Sequence, residues 1–116
     1  MNEEQMLKTL EKLGFTETEA KVYVFLTTEG PQKAKTTGEA LNLRVQQLYR
    51  ILKNLLAKGI INASPEYPAR YSAVQFEKVI DLLIKIKIEQ QQALQQNKEE
   101  LLYTWQSITK KTHQKS

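Results

Sequence analysis

The sequence predicts a mainly α-helical fold with one small β-hairpin, in the order helix-turn-helix, hairpin and long C-terminal helix. Two observations carry this prediction. Apolar residues recur at helical spacing through most of residues 3–58 and again from residue 76, whereas residues 60–74 hold two prolines between short segments of strand character. With 116 residues and a mass of 13.4 kDa, the chain has room for one domain and an appendage.

Residues 1–30 predict two helices. Asn2 can cap a helix from Glu3 to about Leu13, and acidic residues in its first turn suit the positive end of the helix dipole. Thr16 and Glu19 have the spacing of a capping box, which predicts that a second helix starts there and runs to about Thr28.

A shorter helix from Lys35 to Leu41 and a stronger one from about residue 45 to 58 follow, with a turn at Asn42 between them. Asn tolerates the left-handed backbone conformation that such a turn needs. The apolar side chains of the longer helix recur at helical spacing and are Leu48, Ile51, Leu52, Leu55 and Leu56. Its other face carries hydrogen-bond donors, which are Gln46, Gln47, Arg50, Lys53 and Asn54.

The remainder of the chain predicts a hairpin and one long helix. Residues 60–63 and 70–74 have strand character and flank a tip with two prolines. Residues 76–108 contain neither Gly nor Pro, so a continuous helix there would be about 50 Å long. We therefore predict a domain over residues 1–74, followed over residues 75–116 by a long helix with a basic tail.

Charge is distributed unevenly along the chain, which has a net charge of +4. Residues 1–30 hold six acidic and three basic side chains, residues 31–74 hold two and seven, and residues 75–116 hold five and seven. Positive charge gathered in one structural unit is typical of a polyanion binder, although a solvated basic surface would give the same count.

The composition argues against an enzyme. Cysteine is absent, which excludes disulfide scaffolds, thiolate zinc sites and cysteine nucleophiles. The single histidine, His113, lies in the polar tail, and the sequence shows no glycine-rich phosphate loop. Apolar runs are far shorter than the roughly 20 residues of a membrane span, and the N-terminus lacks the pattern of a secretory signal. We expect a cytoplasmic protein with no cofactor, no metal site and no membrane association.

The predicted order of helices followed by a hairpin is that of a winged helix. In such a fold the second helix of the turn motif enters the DNA major groove, where each base pair presents a distinct pattern of donors and acceptors. Gln46, Gln47 and Arg50 lie in the first half of that helix, where Gln can pair with adenine and Arg with guanine. The hairpin places Arg70 where a wing can touch phosphates or an adjacent minor groove.

Residues 13–74 resemble the winged-helix domain of the TrmB family of archaeal transcriptional regulators, within the broader MarR-like group. The stretches that carry the resemblance are Leu13-Gly14-Phe15-Thr16-Glu17-Thr18-Glu19-Ala20-Lys21-Val22-Tyr23, Gly30-Pro31, Leu48-Tyr49-Arg50-Ile51-Leu52-Lys53-Asn54-Leu55, Lys58-Gly59-Ile60-Ile61 and Pro68-Ala69-Arg70-Tyr71. The resemblance implies that Gln46, Gln47 and Arg50 read bases. It also implies that Tyr49 and Lys53 lie near the DNA backbone and that Arg70 is the wing contact.

Three features depart from the pattern of that family. Lys35 and Arg44 stand where such domains often have a small hydroxyl-bearing cap residue, so these two cations are candidates for phosphate contacts. Thr37 stands where an aliphatic core residue is usual. The larger members also carry a C-terminal sugar-binding domain, for which this chain is too short, so regulation by a sugar is not implied and any small-molecule effector stays unknown.

The predicted C-terminal helix carries its own apolar pattern with spacings of four, three and four residues, an 11-residue period that favours a nearly straight pairing of helices. One small domain cannot cover so long a helix, so we expect the same helix of a second copy to cover it in a twofold dimer. The predicted contact residues are Val79, Leu83, Ile86, Gln90, Leu94, Asn97, Leu101, Trp105 and Ile108.

We therefore predict a homodimeric winged-helix protein that binds double-stranded DNA sequence-specifically and regulates transcription. The predicted DNA-binding residues are Lys35, Arg44, Gln46, Gln47, Tyr49, Arg50, Lys53 and Arg70. Two alternatives stay open: an architectural protein that binds DNA without regard to sequence, and a winged helix that serves as a protein-interaction module.

Overall fold

A computed structural model describes the backbone of residues 1–114 and the side chains of residues 1–110. Two compact units are present, Met1–Leu83 and a second that begins at Ile84. The elements in chain order are α1 (Glu3–Lys12), α2 (Glu17–Glu29), β1 (Gln32–Lys33), α3 (Ala34–Leu41), α4 (Val45–Lys58), β2 (Ile61–Ala63), β3 (Arg70–Ala73), α5 (Phe76–Gln96) and α6 (Lys98–Gln114). No helix in this part of the chain combines the length and the apolar character needed to span a membrane.

The predicted starts of the first two helices are confirmed. The Asn2 side chain accepts a hydrogen bond from the backbone N–H of Gln5, and the Gln5 side-chain oxygen accepts one from the backbone N–H of Asn2. Thr16 and Glu19 form the second capping box, with backbone-to-side-chain distances of 2.9 and 3.1 Å. Reciprocal bonds of this kind satisfy two of the backbone donors that a helix start leaves without an intrahelical partner.

The turn between α3 and α4 has the predicted geometry. Asn42 has φ 54° and ψ 48°, in the left-handed region, and the N–H of Leu43 donates to the carbonyl of Gly38 at 2.9 Å. Gly38 also permits α3 to approach α4, because a Cβ there would lie 3.3 Å from the Leu48 side chain. The turn therefore depends on one residue that tolerates a left-handed backbone and one that has no side chain.

A third strand extends the predicted hairpin. β2 and β3 pair antiparallel, and the short β1 pairs with the other edge of β3, which gives the order β1-β3-β2. At the tip, the Ser64 N–H donates to the Arg70 carbonyl and the Arg70 N–H donates to the Ser64 hydroxyl, both at 2.9 Å. We call β2, β3 and the tip between them the wing.

The core of the first unit is formed by apolar residues of every helix from α1 to α5, together with residues at the start of β2. In α4 the four predicted core residues Leu48 to Leu55 are buried, whereas Leu56 lies at the edge with 36% of its surface exposed. Thr37 is fully buried, and its hydroxyl donates to the Lys33 carbonyl at 3.0 Å. A polar group at this core position is therefore satisfied by its own helix.

Two polar contacts tie α2 to the rest of this core. The Tyr23 hydroxyl donates to the Val74 carbonyl at 2.8 Å, and burial raises the pKa of this phenol above 10.0, an effect that the Thr27 side chain partly opposes. The buried Glu19 carboxylate forms an ion pair with Lys58 in the last turn of α4, with 3.7 Å between nitrogen and oxygen. The hydrogen bond therefore joins α2 to the end of β3, and the ion pair joins α2 to α4.

The assignment of Val79 and Leu83 to the dimer contact is wrong. Val79 and Leu83 are only 1% and 4% exposed and belong to the core of the first unit. Helical periodicity identified an apolar stripe correctly, but it could not show that the first two turns of α5 are covered by the chain itself. A side chain that is buried within one copy has no surface left for a second copy.

The predicted continuous helix over residues 76–108 is divided at Asn97, and its second part extends to Gln114. Asn is a weak helix former because its side chain competes for backbone groups. Hydrogen bonds still bridge the division, from the Asn97 N–H to the Ala93 carbonyl and from the Leu101 N–H to the Asn97 carbonyl. The side chain of His113 and most of those in the basic tail lie outside the described residues.

Candidate nucleic-acid interface

One face of α4 points directly away from the core. Its buried residues lie at helical spacing around Leu52, and successive residues turn by about 100°, so the opposite direction passes through Gln46, Arg50 and Lys53. All three are exposed. We call these three residues the outer row. An amide, a guanidinium and an ammonium group therefore project together from one helix face.

A depression at the start of α2 lies beside this row. Its lining includes Thr16, Thr18, Gln47, Arg50 and Asn54. Gln47 and Asn54 therefore project from the flank of α4 that faces the capping box of α2. The structure thus places Gln47 and Arg50 beside the same depression, together with Asn54, which lies two helical turns beyond Gln47.

The other flank of α4 faces the wing. One depression is lined by Lys33 and Lys35 from the start of α3, Tyr49 from α4, Tyr71 from β3 and the wing-tip segment 67–69. Burial raises the pKa of the Tyr71 phenol above 10.0, and the nearby Tyr49 adds to this increase. Both cations therefore lie among phenol groups between α4 and the wing, which is where the predicted contacts Lys35 and Tyr49 meet.

Two cations face each other across the sheet. Lys33 and Arg70 are directly opposite in the antiparallel register of β1 and β3, and both are exposed. Like charges in such positions repel and cost a few tenths of a kcal/mol. This arrangement makes the sheet strongly positive beside the tip of the wing, where a bound anion would offset the repulsion.

The starts of α3 and α4 are also positive. Lys33 and Arg44 occupy the N-cap positions, and neither makes a side-chain capping hydrogen bond. The expectation that Lys35 stands at the cap position is wrong, because α3 begins one residue earlier and Lys35 lies within its first turn. A cation at a helix start opposes the helix dipole, so these positions do not favour the helices.

The exposed cations near α4 are not neutralised by neighbouring carboxylates. Within the described side chains, ion pairs involve only Lys8, Lys21 and Lys58, and none involves Lys33 or any of the predicted cationic contacts. The same part of the chain contains no group of acidic or histidine side chains that could hold a metal ion. The charge of this surface is therefore available to an external polyanion. We use the name α4–wing surface for Lys33, Lys35, Arg44, Gln46, Gln47, Tyr49, Arg50, Lys53 and Arg70.

Two residues of this region, Lys33 and Tyr67, were not among the predicted contacts. Lys33 was counted as a basic residue but was not selected, because a strand of two residues has no detectable pattern. Tyr67 was placed only in the hairpin tip, where the structure shows its side chain to be fully exposed. The like charge of Lys33 and Arg70 was visible in the sequence, but their pairing depends on residues far apart in the chain.

Comparisons with known proteins agree with this architecture. The family described as "Sugar-specific transcriptional regulator TrmB" matches residues 10–77, which is more than half of the chain. The HTH-type sugar sensing transcriptional regulator TrmBL1 of Pyrococcus furiosus is 31% identical over 81 residues, covering 70% of this chain and 24% of that protein. The chain therefore spans about a quarter of the length of this relative.

Solved structures show the same fold at low sequence identity. A "possible transcriptional regulator" from Methanosarcina mazei Go1 has a TM-score of 0.60 and 20% identity, with 76% of this chain and 80% of that chain covered. A protein from Sulfolobus tokodaii has a TM-score of 0.61 and 18% identity, with coverage of 75% and 96%. Together with the helix-turn-helix and wing described above, the match over residues 10–77 shows that this chain belongs to the TrmB family of transcriptional regulators.

Proposed function

We propose that this protein binds double-stranded DNA sequence-specifically and thereby regulates transcription, with α4 in the major groove and the wing on the flanking backbone or minor groove. The observation that carries the proposal is the outer row of α4. Gln46, Arg50 and Lys53 project together from the one helix that a helix-turn-helix inserts into DNA.

Base recognition is assigned to Gln46, Gln47 and Arg50. All three lie in the first half of α4, which is the part of a recognition helix that meets base edges. The Gln amides can pair with adenine and the Arg guanidinium with guanine, and each such bidentate contact contributes about 1–3 kcal/mol of discrimination. Phosphate binding needs no amides, so their presence favours sequence-specific recognition over architectural binding.

Backbone contacts are assigned to the surrounding polar and cationic residues. Lys35 and Tyr49 share the depression next to the wing, and Lys33 faces Arg70 at the edge of the sheet. The whole set of proposed backbone contacts is Lys33, Lys35, Arg44, Tyr49, Lys53 and Arg70. Contacts of this kind fix the register of the protein on the duplex and make its affinity strongly dependent on salt.

A second copy of the chain is the proposed partner of the C-terminal helices. Leu94, Leu101 and Trp105 are 63%, 54% and 63% exposed and belong to one stripe at helical spacing, and a contiguous exposed apolar face of this kind marks an interaction surface. A depression on the same helices is lined by Leu94, Leu101, Gln90, Asn97 and Ala93, of which four belong to the predicted stripe. The residues that remain assigned to the dimer contact are Ile86, Gln90, Leu94, Asn97, Leu101, Trp105 and Ile108.

The proposed division of labour follows from this assignment. Residues 1–74 would bind DNA and residues 75–116 would dimerise, although Val79 and Leu83 serve the first unit. A twofold dimer would place two copies of α4 in successive major grooves, so its operator would be an inverted repeat with half-sites about 10 base pairs apart or a small multiple of that. Acting on chromosomal DNA, the protein would work in the cytoplasm of a cell without a nucleus.

Selection from random duplex DNA at about 0.15 M salt tests the proposal. The retained DNA is sequenced, and enrichment of an inverted repeat is the expected result. Retention without enrichment would instead indicate an architectural protein. No retention would leave a winged helix that binds proteins. A parallel selection with the double variant Arg50→Ala and Gln46→Ala should lose the enriched motif. Lys12→Ala, which removes an exposed cation from α1, should keep it.

A further inference from the structure

Val45 is an apolar residue that the fold does not use. It is the first residue of α4, immediately after the Arg44 cap, and 67% of its surface is exposed. A β-branched residue is a poor helix former, and the first helical turn prefers proline or an acidic residue. Neither burial nor helix propensity therefore accounts for a valine at this position.

The surroundings of Val45 form an apolar flank beside the outer row. Val45 and Tyr49 lie one helical turn apart, and both line a depression between α3 and α4 together with Leu43 and Leu48. Gln46 is the next residue along the chain, so this apolar flank adjoins the groups assigned to hydrogen bonding with bases. A duplex that engages Gln46 would also approach the methyl groups of Val45.

In the major groove, the apolar group that a base pair presents is the C5 methyl of thymine, and apolar side chains contact it. We propose that Val45 is a specificity-determining residue that recognises one thymine in each operator half-site through this methyl group. The inference rests on the proposed insertion of α4 into the major groove. It adds a contact that depends on shape and burial to the hydrogen bonds of Gln46, Gln47 and Arg50.

Deoxyuridine substitution tests the inference directly, because uracil lacks only the C5 methyl and pairs with adenine as thymine does. In the operator obtained by selection, each thymine is replaced in turn by deoxyuridine, and affinity is measured at constant salt. At one thymine of each half-site we expect the wild-type protein to bind the uracil operator about fourfold more weakly, which corresponds to one buried methyl group. Val45→Ala should bind the thymine and uracil operators equally.

Two matched variants complete the experiment. Leu56→Ala removes another exposed apolar side chain from α4, nearer its C-terminal end, and should keep the preference for thymine. Tyr49→Ala removes the other apolar residue of the same flank; it should weaken binding to the thymine and uracil operators alike, because a backbone contact is lost, and should keep the preference for thymine. Alanine favours the helix, so circular dichroism should show that Val45→Ala folds as the wild type does.

The possible failures are distinguishable. If selection gives no motif, the proposed function fails before Val45 is tested. If a motif is found but no thymine methyl affects wild-type affinity, the inference is overturned while sequence-specific binding stands. It is likewise overturned if Val45→Ala keeps the preference for thymine, or if Tyr49→Ala is the variant that loses it.

Discussion

Arg50 is the residue of the outer row with the geometry to read guanine. Its guanidinium can donate two parallel hydrogen bonds, so we expect Arg50→Ala to weaken operator binding by roughly 1–3 kcal/mol and to relax the preference at one base position. Competition binding against a panel of single-base operator variants measures both effects. An equal loss on operator and random DNA would instead make Arg50 a backbone contact.

Lys53 lies three residues further along the same face and is expected to act differently. An ammonium group in the second half of α4 has a phosphate as its natural partner, so Lys53→Ala should weaken binding to all sequences alike. The slope of log affinity against log salt should fall by about 1. Lys12→Ala removes the same charge from α1 and should change neither quantity. A loss confined to the operator would contradict this assignment.

Tyr23 links stability to pH through its buried phenol. Its folded pKa is raised above 10.0, so the stability it contributes is present below that pH and is lost as pH rises through the folded pKa. At about pH 7, Tyr23→Phe should lower the free energy of unfolding by about 1 kcal/mol, because the hydrogen bond to the Val74 carbonyl is lost.

Urea unfolding of both proteins at about pH 7 and about pH 11 measures this effect. The difference in the free energy of unfolding between the wild type and Tyr23→Phe should be smaller at the higher pH. Only the wild type loses the stabilisation that depends on a protonated Tyr23 hydroxyl. Tyr103→Phe, at a phenol 73% exposed, should match the wild type at both values. A difference that is independent of pH would show that Tyr23 acts through packing alone.

Among the elements, α4 has a start that opposes its own stability. Arg44→Ser should provide a side-chain cap, which Gln47 can complete as a capping box, and should raise the free energy of unfolding by about 1 kcal/mol. The same change should weaken DNA binding, because a phosphate contact is lost and Gln47 is drawn toward the cap. Arg44→Ala removes the charge without adding a cap, so it should lose affinity with no gain in stability. If both variants gain stability equally, removal of the charge and not the cap is responsible.

Local signals predicted the elements that depend on neighbouring residues. The capping boxes, the left-handed Asn42 and the periodicity of α4 each involve positions within a few residues of one another, so a single sequence suffices. β1 escaped prediction because it consists of Gln32 and Lys33 alone and exists only through pairing with β3. For the same reason, Lys33 was not among the predicted DNA contacts: its place in the structure depends on the pairing of β1 with β3.

The C-terminal helices show a different limit. The apolar stripe of α5 was visible in the sequence, but periodicity shows only which face of a helix is apolar and not which part of the protein packs against it. Val79 was therefore assigned to a second copy of the chain, whereas it packs in the core of the first unit. The division at Asn97 was also missed, because Asn lowers helix propensity by only a few tenths of a kcal/mol relative to its neighbours and does not forbid a helix as proline does.

For the whole molecule, the exposed apolar side chains of α6 lead us to expect a dimer, which Leu101 allows to be tested. Leu101→Lys should place a cation in each half of the proposed dimer contact and remove apolar burial from both, raising the dimer dissociation constant by at least about a hundredfold. Sedimentation velocity should then show a species of 13.4 kDa where the wild type gives twice that mass. Tyr103→Lys adds the same charge on the opposite side of α6 and should leave the dimer intact. A wild type that sediments as a single chain would refute dimerisation.

The facing pair Lys33 and Arg70 gives dissolved ions two opposite effects on this protein. In the free protein, counter-ions screen the repulsion between the two cations, so added salt holds β1 more firmly against β3. In the proposed complex, phosphates would replace those counter-ions, so added salt would compete with DNA. The pairing of β1 with β3 is therefore slightly destabilised in the free protein, and a bound duplex would remove this cost. DNA binding would then stabilise the pairing of β1 with β3 in addition to recognising a sequence.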